Sequence, residues 1–365
     1  MKFWVIIFFL LPILGNVYVF WRIWQILPFV TPMKVLTLSI LSLGLILLFV
    51  NFGIGLEKMP MSLATVVYEI GTSWVFILLY LFMTFLLMDI GRLVHLVPPS
   101  FMHDSIKGSI TVFAVILSLF VYGKIHYNHK VRQPLTLKTD KHLDKSLKIV
   151  MLTDLHLGYH NRRVEFHKWV DLINAEHPDL ILIGGDIVDI SVHPLLEDNM
   201  AQEFHRLNAP VYACLGNHEY YSGDAKARQF FHDAGIILLR DSVAEVDGIN
   251  IIGRDDRTNP YRKSVSDLVA KADKSKFTLM MDHQPYKLDD AEKAGVDFQL
   301  SGHTHYGQVW PISWIEDAMY EDAYGPLQKG KTQYYVTSGI GIWGGKFRIG
   351  TQSEYLVVNL IKNKE

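Results

Sequence analysis

Residues 147–156 read LKIVMLTDLH, an apolar run that ends in a polar cluster. The same pattern of an apolar run followed by polar residues recurs as LILIGGD at 180–186, VYACLGNH at 211–218, FTLMMDH at 277–283 and FQLSGH at 298–303. Each apolar run is typical of a buried strand, and each polar cluster follows the carboxyl end of that strand. We therefore predict that five strands deliver polar side chains to one crevice, as in other open α/β sheets.

The spacing of these runs indicates the fold class. Asp154 and Asp186, and then Asp186 and Asn217, are separated by roughly the 30 residues of one βαβ unit. Helix-like patterns at 164–176 and 200–208 lie between them, whereas the later apolar runs at 236–240, 250–253, 334–337 and 354–360 lack this alternation. The pattern predicts an α/β (α+β) domain over 147–365, with two mixed sheets and helices outside them.

The polar clusters form an ordered set of five motifs. They combine carboxylate, imidazole and amide oxygen without a thiolate, and such mixed ligands suit divalent manganese, iron or zinc better than magnesium or calcium. One motif alone is weak evidence, because a single buried histidine is more often structural. The motifs are Asp154-Leu-His156, Gly185-Asp186, Gly216-Asn217-His218-Glu219, Asp282-His283 and Gly302-His303-Thr304-His305.

This order of motifs resembles the calcineurin-like metallophosphoesterases over about residues 147–360. The resemblance implies a four-layer αββα double β-sandwich and two divalent metal ions, with manganese preferred and iron or zinc as alternatives. It also implies that Asp186 bridges the two ions. One ion would be held by Asp154, His156, Asp186 and His305, and the other by Asp186, Asn217, His283 and His303.

The segment after His305 resembles a membrane-associated branch that includes UDP-2,3-diacylglucosamine pyrophosphatases. The similar stretches are Gly307-Gln308, Trp310-Pro311, Tyr324-Gly325, and 337–341 with 348–350. The resemblance implies a phosphate-ester substrate that is linked to lipid. One position departs from the pattern, because many relatives carry arginine where this chain has Ile190, so a phosphate contact from that position is in doubt.

Further residues are candidates for roles beside the metal ions. His218 directly follows a predicted ligand, so we expect it to face the substrate as general acid or as an electrostatic stabiliser. Glu219 is expected to orient His218, and Arg348 to contact substrate phosphates between flexible glycines. Asp189 is predicted either to support a ligand or to occupy a turn.

The first third of the chain has the composition of a membrane protein. Half of all residues are hydrophobic and only 20% are charged, which exceeds the apolar content of an ordinary soluble enzyme. The excess lies before residue 128, in four apolar segments at about 3–27, 35–52, 70–88 and 107–127 that approach the ~20 residues needed to span a bilayer. We predict a four-helix transmembrane region at 1–127, followed at 128–146 by a juxtamembrane linker or an edge strand.

Charge sets the expected location and excludes one class of partner. Basic residues at the ends of the segments number five on the terminal side and four on the other, which favours a multi-pass cell-membrane protein with a cytoplasmic catalytic domain. Asp89, Arg92 and His95 flank the third segment and are interpreted as interfacial residues. The formal net charge of −2 gives no basic field for nucleic acid, and the single Cys214 excludes an internal disulfide. Protein partners cannot be predicted.

Residues 311–319 form a short pattern with an apolar side. Ile312, Trp314, Ile315, Ala318 and Met319 share that side. The stripe predicts either a core helix or a helix that inserts partly into the membrane beside the site.

The leading functional hypothesis is hydrolysis of a phosphodiester or pyrophosphate bond in a lipid-linked substrate at the membrane. A membrane-tethered phosphatase or phosphodiesterase of broad soluble substrates is the alternative. A metal-stabilised interaction module without activity is a third interpretation, although a purely structural metal site would not require His218.

Overall fold

The computed structural model describes residues 2–53 and 55–363, and the side chains of 2–12 and 52 lie outside the described part. The chain divides into two compact units. The first comprises Met1–Ile125 and Gly344–Phe347, and the second comprises His126–Trp343 and Arg348–Glu365.

The first unit is helical. In the part of the chain that the structure describes, three helices are long and apolar enough to cross a membrane, over Thr31–Asn51, Met61–Leu93 and Ile106–Asn128. The helices are α1 (Lys2–Ile26), α2 (Thr31–Gly53), a 3₁₀ turn (Leu56–Lys58), α3 (Met61–Leu93), α4 (Pro99–Met102) and α5 (Ile106–Asn128), the last of which runs on into the second unit.

Within the described residues, the predicted number of spans is corrected from four to three. The segments predicted at 35–52, 70–88 and 107–127 coincide with α2, α3 and α5. The segment predicted at 3–27 coincides with α1, but it is not among the three candidates found in the described residues. Much of its apolar sequence falls on residues 2–12, whose side chains lie outside the described part.

Asp89 forms an ion pair between helices. The Arg22 side chain on α1 donates to both carboxylate oxygens of Asp89 on α3, with Nε at 2.9 Å from Oδ2. The Tyr18 hydroxyl donates to the same carboxylate at 2.5 Å. Asp89 is thus tied to a neighbouring helix instead of standing alone at the interface, and this pairing lowers the cost of a charge in an apolar helical unit.

The second unit contains two sheets of six strands, and its mixed α/β architecture confirms the predicted fold class. The strands are β1 (Lys130–Thr139), β2 (Leu147–Leu152), β3 (Leu180–Gly184), β4 (Val211–Cys214), β5 (Ile237–Leu238), β6 (Ser242–Val246), β7 (Ile249–Gly253), β8 (Phe277–Met281), β9 (Phe298–Ser301), β10 (Gly325–Lys329), β11 (Thr332–Val336) and β12 (Ser353–Lys362). Their order is β1-β12-β2-β3-β4-β5 in one sheet and β10-β11-β9-β8-β7-β6 in the other.

Short helices connect the strands of the second unit. They are α6 (Arg163–Ala175), α7 (His193–Glu197), α8 (Ala201–Phe204), α9 (Asn217–Tyr221), α10 (Asp224–Asp233), α11 (Val265–Val269), α12 (Asp289–Ala294) and α13 (Ile312–Met319), with a 3₁₀ turn at His305–Gly307. One buried cluster draws residues from strands of both sheets, a second joins the first sheet to α6 and α10, and a third joins the second sheet to α11 and α12.

Strand direction determines where the predicted motifs lie. Strands β2, β3 and β4 run parallel in the first sheet, and β7, β8 and β9 run parallel in the second. The carboxyl ends of parallel strands meet at one edge of a sheet. The sequence predicted either a linker or an edge strand at residues 130–139. These residues form the edge strand β1, which pairs in parallel with β12.

Candidate metal centre

The predicted ligands follow the carboxyl ends of five strands. In the first sheet, Asp154 lies two residues after β2, Asp186 two after β3 and Asn217 three after β4. In the second sheet, His283 and His303 each lie two residues after β8 and β9. The structure therefore brings side chains from the ends of both sheets to one place.

Three of these side chains form the His305 cluster, defined as Asp154, His156 and His305, whose ligand atoms all lie within 4.8 Å of one another. The Nε2 atoms of the two histidines are 3.1 Å apart. Asp154 Oδ1 lies 3.6 Å from His305 Nε2 and 3.9 Å from His156 Nε2. Two ring nitrogens and a carboxylate oxygen thus point into one small space.

Three others form the His283 cluster, defined as Asp186, His283 and His303, again with ligand atoms within 4.8 Å. His283 Nε2 lies 3.0 Å from Asp186 Oδ2. The same carboxylate oxygen lies 3.7 Å from His156 Nε2 in the His305 cluster. Asp186 is therefore the residue that stands between the two clusters.

Hydrogen bonds on the far side of two histidines fix the direction of their rings. His283 Nδ1 lies 2.8 Å from the Gly184 carbonyl, which accepts only from a protonated Nδ1 and so leaves Nε2 as the atom with the free lone pair. His156 Nδ1 lies 3.2 Å from Asp189 Oδ1. A carbonyl or carboxylate behind the imidazole is the usual support for a histidine that binds a metal.

The backbone is strained at the ligands. Five predicted ligands have left-handed φ angles that non-glycine residues seldom adopt. Such outliers cluster at functional sites, where the surrounding structure holds them in place. They are Asp154 (φ 55°), His156 (44°), Asp186 (52°), His303 (72°) and His305 (48°).

Gly185 allows the close approach of the two sheets at this point. Its φ is 90°, and a Cβ atom there would lie 2.8 Å from both Gly216 N and His283 Nδ1. A side chain would push the second-sheet histidine away from Asp186. The glycine of the Gly-Asp motif is thus required by packing against a ligand.

Buried carboxylates concentrate negative charge in the site. Asp154, Asp186, Asp189 and Glu219 all have essentially no exposed surface. Burial works to raise the pKa of Asp186, but the charges of His283 and His218 bring that pKa well below its ordinary value. Burial and the Asp186 charge raise the pKa of Glu219 to about 7. A site with this much buried negative charge requires compensating cations.

The imidazoles divide into two electrostatic types. Burial lowers the pKa of His156, but hydrogen bonding to Asp154 and Asp189 overcomes it and raises that pKa to about 10. Burial, helped by the charge of His283, lowers the pKa of His303 to about 4. The pKa of His305 is also lowered by burial. His303 and His305 are therefore neutral imidazoles, the form that binds a cation.

Unsatisfied polar atoms test whether divalent cations fit these residues. Asn217 Oδ1 and His283 Nε2 are buried without a hydrogen-bond partner, although His283 Nε2 lies 3.0 Å from Asp186 Oδ2. A buried polar atom without a partner costs about 1–3 kcal/mol. Coordination would satisfy both atoms and would offset the carboxylate charge. The donor set of histidine nitrogens, aspartate oxygens and one amide oxygen therefore fits divalent metal ions.

His218 lies at the open side of the centre. Its side chain is 13% exposed, and its Nδ1 is 3.3 Å from Asp189 Oδ1. The backbone N–H of His218 donates to Asp186 Oδ1 at 2.9 Å. The ring packs edge-on against His156, with 4.5 Å between centroids. His218 is thus a polar group beside the ligands that still reaches solvent.

Comparison with known proteins agrees with this geometry. A family model for calcineurin-like phosphoesterases matches residues 147–307. An uncharacterized metallophosphoesterase of Campylobacter jejuni is 31% identical over 258 residues, which cover 67% of this chain and 68% of that protein. The chain belongs to the calcineurin-like phosphoesterase family. The predicted resemblance to this family is confirmed.

Two other relatives show how far the similarity extends. An uncharacterized metallophosphoesterase of Helicobacter pylori is 30% identical over 229 residues, covering 61% of this chain and 62% of that protein. A transmembrane protein with a metallophosphoesterase domain from Danio rerio is 28% identical over 278 residues, covering 69% and 62%. The chain thus spans about 62% of the length of these two relatives. Together with the three candidate helices, the second name indicates membrane association.

Glu219 supports the phosphoesterase site differently from the prediction. Its carboxylate accepts backbone N–H groups from Gly216 (2.6 Å), Asp186 (3.1 Å), Ile187 (2.7 Å) and Val188 (2.9 Å). We expected Glu219 to contact His218, but its carboxylate instead holds together the loops that follow β3 and β4. The residue near His218 is instead Asp189.

Arg348 also differs from the prediction, because its side chain is fully buried. Its guanidinium donates to the carbonyls of His305 (2.7 Å), Gly341 (3.1 Å) and Ser338, and to Ser353 Oγ (3.2 Å). These carbonyl and hydroxyl oxygens occupy the guanidinium N–H groups that would otherwise bind a phosphate. Arg348 therefore holds the loop of His305 rather than contacting a substrate.

Two carboxylates near the ligands have functions that the motifs alone did not settle. Asp189 Oδ1 lies near the Nδ1 atoms of both His156 and His218. Its position three residues after Asp186 is the sequence feature that could have indicated this role. Asp282 precedes His283, but Arg254 and Arg262 each donate to it at 2.9 Å. Its charge is thus already paired, so Asp282 is not a ligand.

Proposed function

We propose that this chain hydrolyses a phosphodiester or pyrophosphate bond at a centre of two divalent cations. The observation that carries the proposal is the position of Asp186 between the His305 cluster and the His283 cluster, with the partly exposed His218 beside Asp186 and His156. A structural site would need neither a shared carboxylate nor a partly exposed histidine.

The proposed ligands follow the two clusters. Asp154, His156, Asp186 and His305 would hold one cation, and Asp186, Asn217, His283 and His303 the other. Manganese is our first choice, with iron or zinc as alternatives, because nitrogen and oxygen donors occur together. Two such cations would supply Lewis-acid stabilisation of the charge that develops on the phosphate oxygens.

His218 would act on the leaving group. Its Nδ1 is near Asp189, so Nε2 is the atom available to give a proton to the departing oxygen. Asp189 would hold the ring in this orientation, and its second contact with His156 would keep the acid and a ligand in fixed relation. Glu219 and Arg348 would maintain the loops on which the ligands lie.

The proposed substrate is linked to lipid, for example a UDP-diacylglucosamine-like pyrophosphate. Three helices that can cross a membrane support this substrate class, because they keep the second unit at a lipid surface. We further propose a multi-pass cell-membrane protein whose catalytic unit is cytoplasmic. Protease accessibility of the second unit in vesicles of known orientation tests that assignment.

The test compares three substrates with the full chain in phospholipid nanodiscs loaded with Mn²⁺. These are a soluble bis-aryl phosphodiester, a soluble aryl phosphomonoester and a UDP-diacylglucosamine-like lipid. The variants are His218→Ala and Asp186→Ala, and the matched control is His232→Ala, whose side chain is 84% exposed in α10. We expect the lipid to be preferred, both site variants to lose activity and the control to keep it.

Each other outcome points to one alternative. Hydrolysis of the soluble esters alone would favour a tethered enzyme of broad specificity. Bound metal with no hydrolysis of any substrate would favour a non-catalytic module and defeat the proposal.

A further inference from the structure

An exposed apolar patch follows the last predicted ligand. The α13 patch is defined as Trp310 (40% exposed), Trp314 (65%), Ile315 (56%) and Met319 (59%). Ile315 and Met319 are four residues apart and lie on one side of α13. Trp310 precedes the helix, and its ring is in edge contact with that of Trp314, with 5.2 Å between centroids. Scattered exposed apolar residues are ordinary, whereas a contiguous patch marks a binding surface. This exposure excludes a core helix for the side that carries the patch.

The helix that carries the patch is packed closely on the loop of the metal centre. Gly307 has a φ of 68°, and a Cβ atom there would lie 2.4 Å from Ser313 N. Ser313 and Tyr320 are buried on the opposite side of the helix from the patch. Because His305 is two residues before Gly307, whatever the α13 patch binds is held at a fixed distance from the His305 cluster.

The chain connects the unit that carries this patch directly to a helix that can cross a membrane. The candidate span α5 ends at Asn128 and β1 begins at Lys130, so a single residue separates the span from the first sheet. The backbone N–H of Trp310 donates to the Ile349 carbonyl at 2.7 Å, next to Arg348, where the chain re-enters the second unit. A tethered surface meets its target at a high effective concentration, so weak insertion suffices. Tryptophan is also the residue that prefers the membrane interface.

The charge of α13 determines which kind of membrane contact is possible. Ile312–Met319 contains Glu316 and Asp317 and neither lysine nor arginine. Attraction to anionic head groups therefore cannot drive binding, in contrast to basic interfacial helices. Binding would come from burial of apolar side chains, which depends little on salt.

We propose that the α13 patch inserts into the interfacial layer of the bilayer that anchors the chain. Insertion would hold the opening of the metal centre at the lipid surface, where a phosphate ester on a lipid head group is presented. The proposal rests on membrane association of the chain and is independent of the reaction catalysed.

A spin label tests the insertion directly. Cys214 is buried, so a nitroxide introduced by Met319→Cys labels one position in the full chain. The control is Tyr261→Cys, because Tyr261 is 90% exposed in the same unit. In phosphatidylcholine nanodiscs, we expect the label at 319 to be accessible to oxygen and shielded from a water-soluble nickel relaxant, and the label at 261 to show the reverse. Anionic lipid should not change either result.

Two outcomes would overturn this assignment. Equal exposure of both labels to the nickel relaxant would show that the patch stays in water. Dipolar broadening between labels at 319 in two copies of the chain would show that a second copy covers the patch.

Activity provides a second readout. The double substitution Trp314→Ser with Ile315→Ser removes the centre of the α13 patch, and Val164→Ser with Leu196→Ser removes equally exposed apolar side chains elsewhere. We expect the first pair to lower kcat/KM on a vesicle-embedded phosphodiester about tenfold and to leave the soluble ester unchanged. Equal losses on both substrates would contradict the proposal. A protein inactive on every ester would defeat the proposed function, and the spin label would still decide the insertion.

Discussion

The two ligand clusters lie side by side but are held in opposite ways. In the His283 cluster, Asp186 lies on a loop whose backbone N–H groups donate to the buried anion Glu219. In the His305 cluster, His305 lies on a loop whose backbone carbonyl accepts from the buried cation Arg348. We call the contacts of Glu219 the anion clamp, because its carboxylate accepts from backbone N–H groups. We call the contacts of Arg348 the cation clamp, because its guanidinium donates to backbone carbonyls.

The difference teaches how each cluster is maintained. Glu219 is three residues from Gly216 and holds loops that follow neighbouring parallel strands, so its clamp belongs to the first sheet. Arg348 reaches His305 from 43 residues further along the chain, and His305 Nδ1 is buried without a hydrogen-bond partner. We therefore expect the His305 cluster to be the more easily disturbed, and the predictions that follow test this asymmetry.

The largest effect is expected from Asp186→Ala. Loss of the carboxylate between the clusters removes a ligand from both, so the chain should lose both cations and kcat/KM should fall by roughly 10³-fold or more. His283→Ala and His305→Ala each remove a ligand from one cluster. Metal content per chain, measured by plasma mass spectrometry, should fall below one for Asp186→Ala and by about one for each histidine variant. Retention of two cations by Asp186→Ala would exclude a shared site.

The next effect concerns the cation clamp. Arg348→Met removes the guanidinium donor from the carbonyls of Ser338 and Gly341, at about 1–3 kcal/mol each, and leaves the His305 carbonyl with the Gln308 N–H alone. Arg348→Lys keeps the charge but lacks the planar fork that reaches several carbonyls at once. Both variants should release the cation of the His305 cluster before that of the His283 cluster. Thermal unfolding and metal titration check this, and equal weakening of both cations would contradict the asymmetry.

A smaller effect is expected from the anion clamp. Glu219→Gln keeps the shape, but the amide NH₂ cannot accept the N–H groups that one carboxylate oxygen now receives. Two unsatisfied N–H groups would cost about 1–3 kcal/mol each, offset in part because Asp186 no longer repels a second charge. We expect a loss of stability in chemical unfolding while both cations still bind. Complete loss of the His283 cation would show that the anion clamp is as fragile as the cation clamp.

Much of the fold could be predicted because strands and ligands share one pattern. The runs that end at Asp154, Asp186, Asn217, His283 and His303 are all strands with polar ends. Strand β1 was harder to predict, because alternating lysine and leucine with Pro134 is as typical of a linker as of an edge strand. The segment predicted at 3–27 coincides with α1, but the three candidate spans found in the described residues lie in α2, α3 and α5.

The sequence predicts the candidate ligands from motif spacing, but it does not predict the contacts that support them. Motif spacing identifies donors, whereas the partner of a buried charge depends on loops that are distant in sequence. Glycines around Arg348 suggested an approach to a ligand, and the structure shows that they let the guanidinium reach carbonyls instead. The sequence predicts that Glu219 orients its neighbour His218. In the structure, the Glu219 carboxylate accepts from backbone N–H groups of the loop after β3.

The smallest effect among these predictions is expected from Asp189→Asn, because Asp189 supports a ligand histidine and His218 and is not itself a proposed ligand. Asp189 Oδ1 lies 3.2 Å from His156 Nδ1 and 3.3 Å from His218 Nδ1. The amide keeps the shape and can still accept through its oxygen, but it no longer stabilises a positive charge on His218. Loss of such a supporting carboxylate typically costs about 10–100-fold. We expect kcat to fall within that range while KM and the content of both cations stay unchanged. His160→Gln is the matched control, because His160 Nδ1 lies 3.8 Å from the other Asp189 oxygen and its Nε2 lies 2.7 Å from the Ile342 carbonyl. A rise in KM or loss of the cation bound by His156 would show that Asp189 serves the His305 cluster rather than the proton donor.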